Sequence, residues 1–257
     1  MAQPGGEFDL TEYILSHVQN GDQWKLPFLP PIELPQFLSL HALMLVIGSG
    51  GLLILFCKAY NHKQKIPTGI TNALEAIVLF IRDEISITHL GEQDGRRMTP
   101  LFCTFFFFIL FLNLLGIIPA FAAATSNINV TAALALVTFG FMTIGAMVKN
   151  GVGGFFHAFI YSELPLVMRI ILFPIEFLGV FIKTFALTIR LFANMLAGHM
   201  IILALVGLVG VFGLVALPSV LLAVFIYMLE VFVSLLQAYI FTLLSAVFIG
   251  QVHRPAH

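Results

Sequence analysis

Residues 170–207 form the stretch IILFPIEFLGVFIKTFALTIRLFANMLAGHMIILALVG, which contains three charged side chains and no polar turn. The apolar character continues to residue 250, and its one helix-breaking zone contains Gly207, Gly210, Gly213 and Pro218. Two helices of about 35 to 40 residues on either side of that zone would each be about 55 Å long, nearly twice the thickness of the hydrocarbon core. The stretch therefore favours a long, strongly tilted helical hairpin over four ordinary crossings.

The composition of the whole chain is typical of a membrane protein. Its 257 residues are 60% hydrophobic and 10% charged, with a mean hydropathy of +1.02, far from the values of soluble domains. The formal net charge of -1 offers no basic surface that would attract nucleic acid. We therefore expect an all-α polytopic protein in a lipid bilayer, with no nucleic-acid partner.

The uncharged runs divide the chain by the length of about 20 apolar residues that a membrane helix needs. Residues 34–57 predict a first span, and residues 101–148 predict a hairpin of two spans that is broken near Pro119 and TSNIN (125–129). With the long hairpin at 170–250, the sequence predicts five crossings. The remaining segments are the N-terminal tail (1–33), two loops (58–100 and 149–169) and the C-terminal tail (251–257).

The positive charges predict the orientation. Six lysines and arginines lie in the loop 58–100, whereas the N-terminal tail has one lysine among five acids. By the positive-inside rule, the loop is cytoplasmic, the N-terminus lies outside and the C-terminus lies inside.

Within the loop 58–100, apolar residues recur with the period of an amphipathic helix. They are Leu74, Ile77, Val78, Ile81 and Ile85. Two interpretations remain open: a helix that lies on the membrane surface, or a helix packed on the protein's own loops.

Glu176, Lys183 and Arg190 are spaced by seven residues and share one helix face, with small residues around Arg190. The three side chains could form a salt-bridge ladder that neutralises itself. Arg190 nevertheless costs from about 3 to over 10 kcal/mol inside a membrane, and such residues usually mark ion pathways. Because no acid lies one or two helical turns from it, the sequence indicates that Arg190 faces an acid of a partner subunit.

Other polar residues of the long hairpin are predicted to meet across it. If the chain turns near Leu214, three pairs lie at equal depth: His199 with Glu230, Asn194 with Ser234, and Arg190 with Gln237. On the second helix, Tyr227, Glu230, Ser234 and Gln237 form one polar stripe that could line a wet path. His199 and Glu230 can take up and release protons, although an interhelical hydrogen bond that only fixes packing is the alternative. His199 lies about 180° around its helix from Arg190, so all three pairs cannot be contacts.

The sequence lacks the common catalytic and metal-binding motifs. There is no HExxH, no P-loop, no GxSxG and no Cys/His metal spacing, while GSGG (48–51) suits close helix packing. We expect no metal, no cofactor and no catalytic activity of the chain alone.

Several short motifs carry a family resemblance. They are RLFANMLAGH (190–199), LLQAYIF (235–241), FLNLLGIIP (111–119), NINVT (127–131) and VKNGVGGF (148–155). Over residues 67–250 the chain resembles subunit a of F-type ATP synthases, the membrane stator beside the rotating c-ring. The resemblance implies a proton-translocating subunit in which Arg190 is the essential stator charge that faces the c-ring carboxylates.

The resemblance also implies the two half-channels. Asn194, His199, Glu230 and Gln237 would admit protons from the outer side, and Glu176 would lie on the exit side. Implied partners are the c-ring and the peripheral-stalk b subunits. The length and the outer tail favour a bacterial cytoplasmic membrane over the mitochondrial inner membrane.

The chain also departs from the family pattern. Some members carry an acid at the position of His199 and a histidine at that of Glu230, so the pair is exchanged here. Gly116 occupies a position that is acidic in some members, and Ala186 one that is serine in some. The competing function is a stand-alone proton-coupled transporter or channel with an Arg–Glu–His relay, but no internal repeat supports it.

Overall fold

The structure is a computed structural model that describes residues 23–24, 32–33, 39–59, 69–118, 121, 123–159 and 165–253. In these ranges an antiparallel pair of two-residue strands, β1 (Gln23–Trp24) and β2 (Ile32–Glu33), precedes the helices. The helices are α1 (Leu40–Ala59), α2 (Ile70–Phe80), α3 (Glu92–Ile117), α4 (Ile128–His157), α5 (Leu166–Phe212) and α6 (Leu217–His253). Most of the predicted tail 1–33, and residues 254–257, lie outside the described residues.

Five of these helices, α1, α3, α4, α5 and α6, are long and apolar enough to cross a membrane. The predicted all-α class and the five crossings are therefore confirmed, and the protein is a multi-pass membrane protein. With 47 residues in α5 and 37 in α6, the structure has two long helices in place of four short ones. At 1.5 Å per residue α5 is about 70 Å long, so it fits a bilayer only if it is tilted or bent. The orientation of the termini stays a prediction.

The two long helices are joined by a tight turn. Gly213 ends α5 with φ 62° and ψ -142°, a left-handed conformation that favours glycine. A 3₁₀ turn, Gly213–Ala216, then leads into α6, where the hydroxyl of Ser219 donates to the carbonyl oxygen of Leu205 across the hairpin at 2.9 Å. The bend lies near Leu214, the position that the depth matching of polar residues assumed.

Helix α1 packs on α3 through its glycines. A Cβ atom at Gly48 would lie 2.5 Å from a side-chain atom of Leu112, and one at Gly51 would lie 2.9 Å from the ring of Phe111. Larger residues would therefore displace the side chains of Leu112 and Phe111 from this interface. The interpretation of GSGG as a close-packing motif agrees with these distances.

Helix α2 continues without a break through a π-helical segment, Ile81–Ile87, to a last turn, Thr88–Leu90. The side chains of Ile81 and Ile85 are fully buried in the core, and Leu74, Ile77 and Val78 are half-buried against it. The amphipathic stripe thus packs against the protein's own core, which contains residues of the membrane-spanning helices. Of the two interpretations, this favours a helix that packs on the protein, although its partners are spanning helices and not the expected loops.

The core of the bundle lies around α6, which packs against both α3 and α5. On α6 small residues at the interface, among them Ala238 and Ala246, are fully buried beside Phe241. The ring of Phe241 meets that of Phe105 of α3 edge to face, with centroids 5.4 Å apart. Small side chains allow α6 to approach its neighbours closely, and the aromatic residues of α3 fill the remaining space.

Polar residues of α4 anchor the C-terminal end of α6. The ammonium group of Lys149 donates to Asp94 of α3 and, at 3.2 Å, to the carbonyl oxygen of His253. The side-chain amide of Asn150 donates to the carbonyl oxygens of Val252 and His253. The loop predicted at 149–169 therefore begins with helix, which kinks at Gly151 (φ 76°, ψ 164°) before it reaches His157. The side chains of Lys149 and Asn150 cap the unpaired carbonyls of α6.

Candidate functional site

The predicted pair of His199 and Glu230 is a direct contact. His199 Nδ1 lies 3.0 Å from Oε1 of Glu230, and the carboxylate is buried with 5% of the residue exposed. Gly198 makes room for this carboxylate, since a Cβ atom at that position would lie 2.7 Å from Oε1. The structure thus brings together, across the long hairpin, two groups that can share one proton.

The second nitrogen of His199 reaches a different helix. Its Nε2 lies 2.9 Å from the carbonyl oxygen of Gly116, in the last turn of α3. A Cβ atom at Gly116 would lie 2.8 Å from the Cα atom of Ala123 and 2.9 Å from Met195, so no side chain fits there. Gly116 therefore enters this site through its backbone.

A small cavity lies beside Glu230, between α3, α5 and α6. Its volume is about 10 Å³, the lower limit for one water molecule. Two buried polar atoms, Oε2 of Glu230 and Nε2 of Gln237, have no hydrogen-bond partner among the described residues. One is an acceptor when ionised and the other is a donor, so a water molecule could join them. The lining residues are Asn113, Leu191, Asn194, Met195, Glu230, Val233, Ser234 and Gln237.

The other two pairs, which were predicted to lie at equal depth, do not form direct contacts as paired. The amide of Asn194 makes a long hydrogen bond of 3.5 Å to Oε1 of Gln237, instead of meeting Ser234. Ser234 lines the same cavity, but Arg190 makes no contact with Gln237 within the described chain. His199 points at α6, and Arg190 lies about 180° away from it on α5, so these two side chains cannot both face α6.

Arg190 lies on the outer face of α5. It is exposed, and so are its neighbours on that face, Ala193, Asn194 and Ala197. Over the residues that the structure describes, Arg190 forms no hydrogen bond and no ion pair. A fixed positive charge among small side chains thus lies on a surface that a further helix could approach closely.

The salt-bridge ladder is absent from the described part of the chain. Lys183 donates to the side-chain oxygen of Gln251 at 2.8 Å and lies 5.5 Å from the ring centre of Phe248. Glu176 is half-buried and pairs with neither Lys183 nor Arg190. The three charges on one face therefore do not neutralise one another.

Asn113 is a site residue that the sequence reasoning missed. It is buried, it lines the cavity with Glu230, and its Oδ1 accepts a hydrogen bond of 2.7 Å from Thr125. A signal was present, because an amide in the apolar run of α3 is costly unless it has polar neighbours. Matching residues of equal depth within the long hairpin could not find it, since α3 is not part of that hairpin.

In the described ranges no group of three or more His, Cys, Asp or Glu side chains could hold a metal ion.

The comparison with known proteins assigns the family. The family model described as ATP synthase A chain matches residues 37–250, which include every site residue named above. The chain belongs to the ATP synthase A chain family. This confirms the resemblance inferred from the motifs.

Individual relatives agree with this family. The chain is 47% identical over 215 residues to the ATP synthase subunit a of Anaeromyxobacter dehalogenans (strain 2CP-C), covering 82% of this chain and 56% of that protein. It is 44% identical over 257 residues to the ATP synthase subunit a of Chloroherpeton thalassium (strain ATCC 35110 / GB-78), covering 96% of this chain and 73% of that protein. The chain therefore spans about half the length of the Anaeromyxobacter relative and most of the Chloroherpeton one.

Proposed function

We propose that this protein is the proton-translocating stator subunit of a rotary ATP synthase, with Arg190 facing the proton-carrying carboxylates of a c-ring. The supporting observation is the exposed guanidinium of Arg190 in an apolar helix, which has no hydrogen bond or ion pair with the described residues. Such a charge costs about 3 kcal/mol or more in lipid, and an acid of a partner subunit would offset that cost. Small residues around it allow a ring of helices to pass close by.

The inlet half-channel leads to His199 and Glu230. Protons driven from the outer side, each worth about 2.3 kcal/mol per 100 mV, bind to this pair. From Glu230 the proton crosses the cavity beside Ser234 and Gln237 by way of a water molecule and reaches Asn194 on the ring-facing surface. There it neutralises a c-ring carboxylate, which can then enter the lipid.

The exit half-channel lies near Glu176, on the other side of Arg190. After nearly a full turn, a protonated carboxylate returns and loses its proton toward Glu176. Arg190 holds the resulting carboxylate ionised, and it cannot relay protons itself because a guanidinium is never deprotonated in proteins. The arginine therefore separates the two half-channels and prevents a direct leak.

The proposal includes the partners and the location. The c-ring meets the face of Arg190, peripheral-stalk b subunits hold the stator, and the bilayer is the bacterial cytoplasmic membrane. The chain supplies proton transfer and contributes no catalytic group to nucleotide chemistry.

Replacing Arg190 with alanine tests the proposal. We expect Arg190→Ala to abolish ATP synthesis driven by a pH gradient in membrane vesicles, while the complex still assembles. The matched control is Arg97→Ala, which removes an exposed arginine near the start of α3 and should leave synthesis unchanged. Full coupling in the Arg190→Ala vesicles would contradict the assignment.

Purification of the native complex separates this function from a stand-alone transporter. A ring of small hairpin subunits that copurifies with the chain supports the stator. Proton transport by the isolated chain, without such a ring, would instead support the transporter.

A further inference from the structure

The C-terminal turn of α3 ends inside the site. The last carbonyl groups of an α-helix have no partner within the helix and must find one elsewhere. Leu115 accepts from the backbone N–H of Ile118, but the next two carbonyls are held by side chains from two other helices. Gly116 receives His199 Nε2 of α5, and Ile117 receives the hydroxyl of Tyr227 of α6.

The carbonyl of Gly116 decides which nitrogen of His199 carries a fixed hydrogen. A carbonyl oxygen can only accept, so Nε2 must donate its hydrogen to Gly116. Neutral imidazole has a single N–H group, which leaves Nδ1 as the nitrogen that exchanges a proton with Glu230. In the opposite tautomer, lone pairs on Nε2 and on the carbonyl oxygen would face each other.

Tyr227 fixes the end of α3, where the Gly116 carbonyl selects the tautomer of His199. It lies one helical turn before Glu230 on α6, so one helix face presents both the proton-accepting carboxylate and the hydroxyl that fixes α3. The ring of Tyr227 packs on the buried side chains of Ile117, Ala123 and Met195. If the hydroxyl were removed, the carbonyl of Ile117 would lose its hydrogen bond and the neighbouring carbonyl would no longer be fixed against His199.

We propose that Tyr227 is a positioning residue of the proton inlet: it ties the end of α3 to α6, so that the Gly116 carbonyl holds His199 in the tautomer whose Nδ1 faces Glu230. The inference rests on the proposed function, because it assigns a task within the same inlet. The titratable groups that face His199 are Glu230 and Tyr227 of α6. The last turn of α3 and residues 123–126 contain no ionisable side chain, and Arg190 lies on the opposite face of α5.

The test compares two tyrosines of α6 in vesicles that contain the whole synthase complex. We expect Tyr227→Phe to lower the rate of proton-driven ATP synthesis per assembled complex by about 2- to 12-fold, the range of one lost hydrogen bond. The pH of the inlet side at which the rate is half-maximal should also change. Tyr239→Phe is the matched control, because the Tyr239 hydroxyl has no hydrogen bond within the described chain, and it should change neither quantity.

The outcomes separate the two proposals. If Tyr227→Phe lowers only the amount of complex and leaves the rate per complex and the pH profile unchanged, its role is structural and the inference is wrong. If the rate per complex and the pH profile of Tyr227→Phe stay at the wild-type level while His199→Gln blocks synthesis, the inference is likewise wrong, but the proposed inlet is supported. If His199→Gln also leaves synthesis intact, the proposed inlet itself is refuted.

Discussion

Replacing Gly198 with alanine should slow proton transfer while the complex still assembles. The new Cβ atom would lie 2.7 Å from Oε1 of Glu230, about 0.7 Å short of ordinary van der Waals contact. The carboxylate must therefore rotate or shift, and it has room on the side of its unpaired Oε2, beside the cavity. Either movement breaks the 3.0 Å contact with His199.

The magnitude follows from the bond that is lost. A hydrogen bond to a charged group is worth about 1.5–3 kcal/mol, which corresponds to a rate about 10- to 150-fold lower if that bond carries the proton. Alanine has the higher helix propensity, by about 1 kcal/mol, so the helix itself should not be weakened. Gly198→Ala should thus yield a stable complex with slow proton-driven ATP synthesis.

The assay is ATP synthesis driven by an acid–base jump in vesicles, normalised to the amount of assembled complex. Gly50→Ala is the control, because it makes the same exchange in α1 at a glycine whose Cβ atom would meet nothing within 4 Å. Synthesis by Gly198→Ala at more than half of the wild-type rate would show that the contact between His199 and Glu230 does not carry the proton.

Two further predictions concern the same hairpin and its anchor. The first exchanges the pair, His199→Glu with Glu230→His, and this double variant should show more proton-driven synthesis than either single variant. Its rate should stay below that of the wild type, because a carboxylate at 199 cannot donate to Gly116. A double variant no faster than the single variants would contradict the proposal that the two residues act as a pair. Lys149→Met should lower the free energy of unfolding by about 1–2 kcal/mol, since it removes an ion pair and a cation at the C-terminus of α6. Thermal unfolding of the detergent-solubilised protein measures this change. Arg96→Met, which removes an exposed pair with Glu92, should change stability by less than half as much, and an equal loss would refute the anchoring role.

The number of crossings could be predicted because lipid imposes a length. A span needs about 20 apolar residues, and the run from 170 to 250 contains one breaker zone, so it favours two long helices over four short ones. The ends of the helices could not be predicted equally well. Lys149 indicated the end of a span, yet its charge is accommodated inside α4 because Asp94 and the carboxyl end of α6 lie beside it. That compensation comes from distant segments, which local hydropathy does not contain.

The candidate site could also be predicted only in part from the sequence. A hairpin with a known turn relates depths on its two helices, so the contact of His199 with Glu230 was predictable from residue numbers. Which side chains point inward was not fixed by depth, and Asn194 therefore bonds to Gln237 in place of Ser234. Asn113 and the Gly116 carbonyl come from α3, whose position beside the hairpin depends on tertiary packing. Sequence spacing carries no information on that position.

The geometry at Gly116 bears on the order of the pair. Gly116 has no room for a side chain, and its backbone carbonyl faces the site. A carbonyl needs a donor, and of the two members of the pair only histidine keeps an N–H group in both of its protonation states. In this structure the histidine stands at 199, next to the carbonyl, and the acid stands at 230. This order satisfies the Gly116 carbonyl in both protonation states, and we therefore expect that reversing the pair alone does not restore full activity.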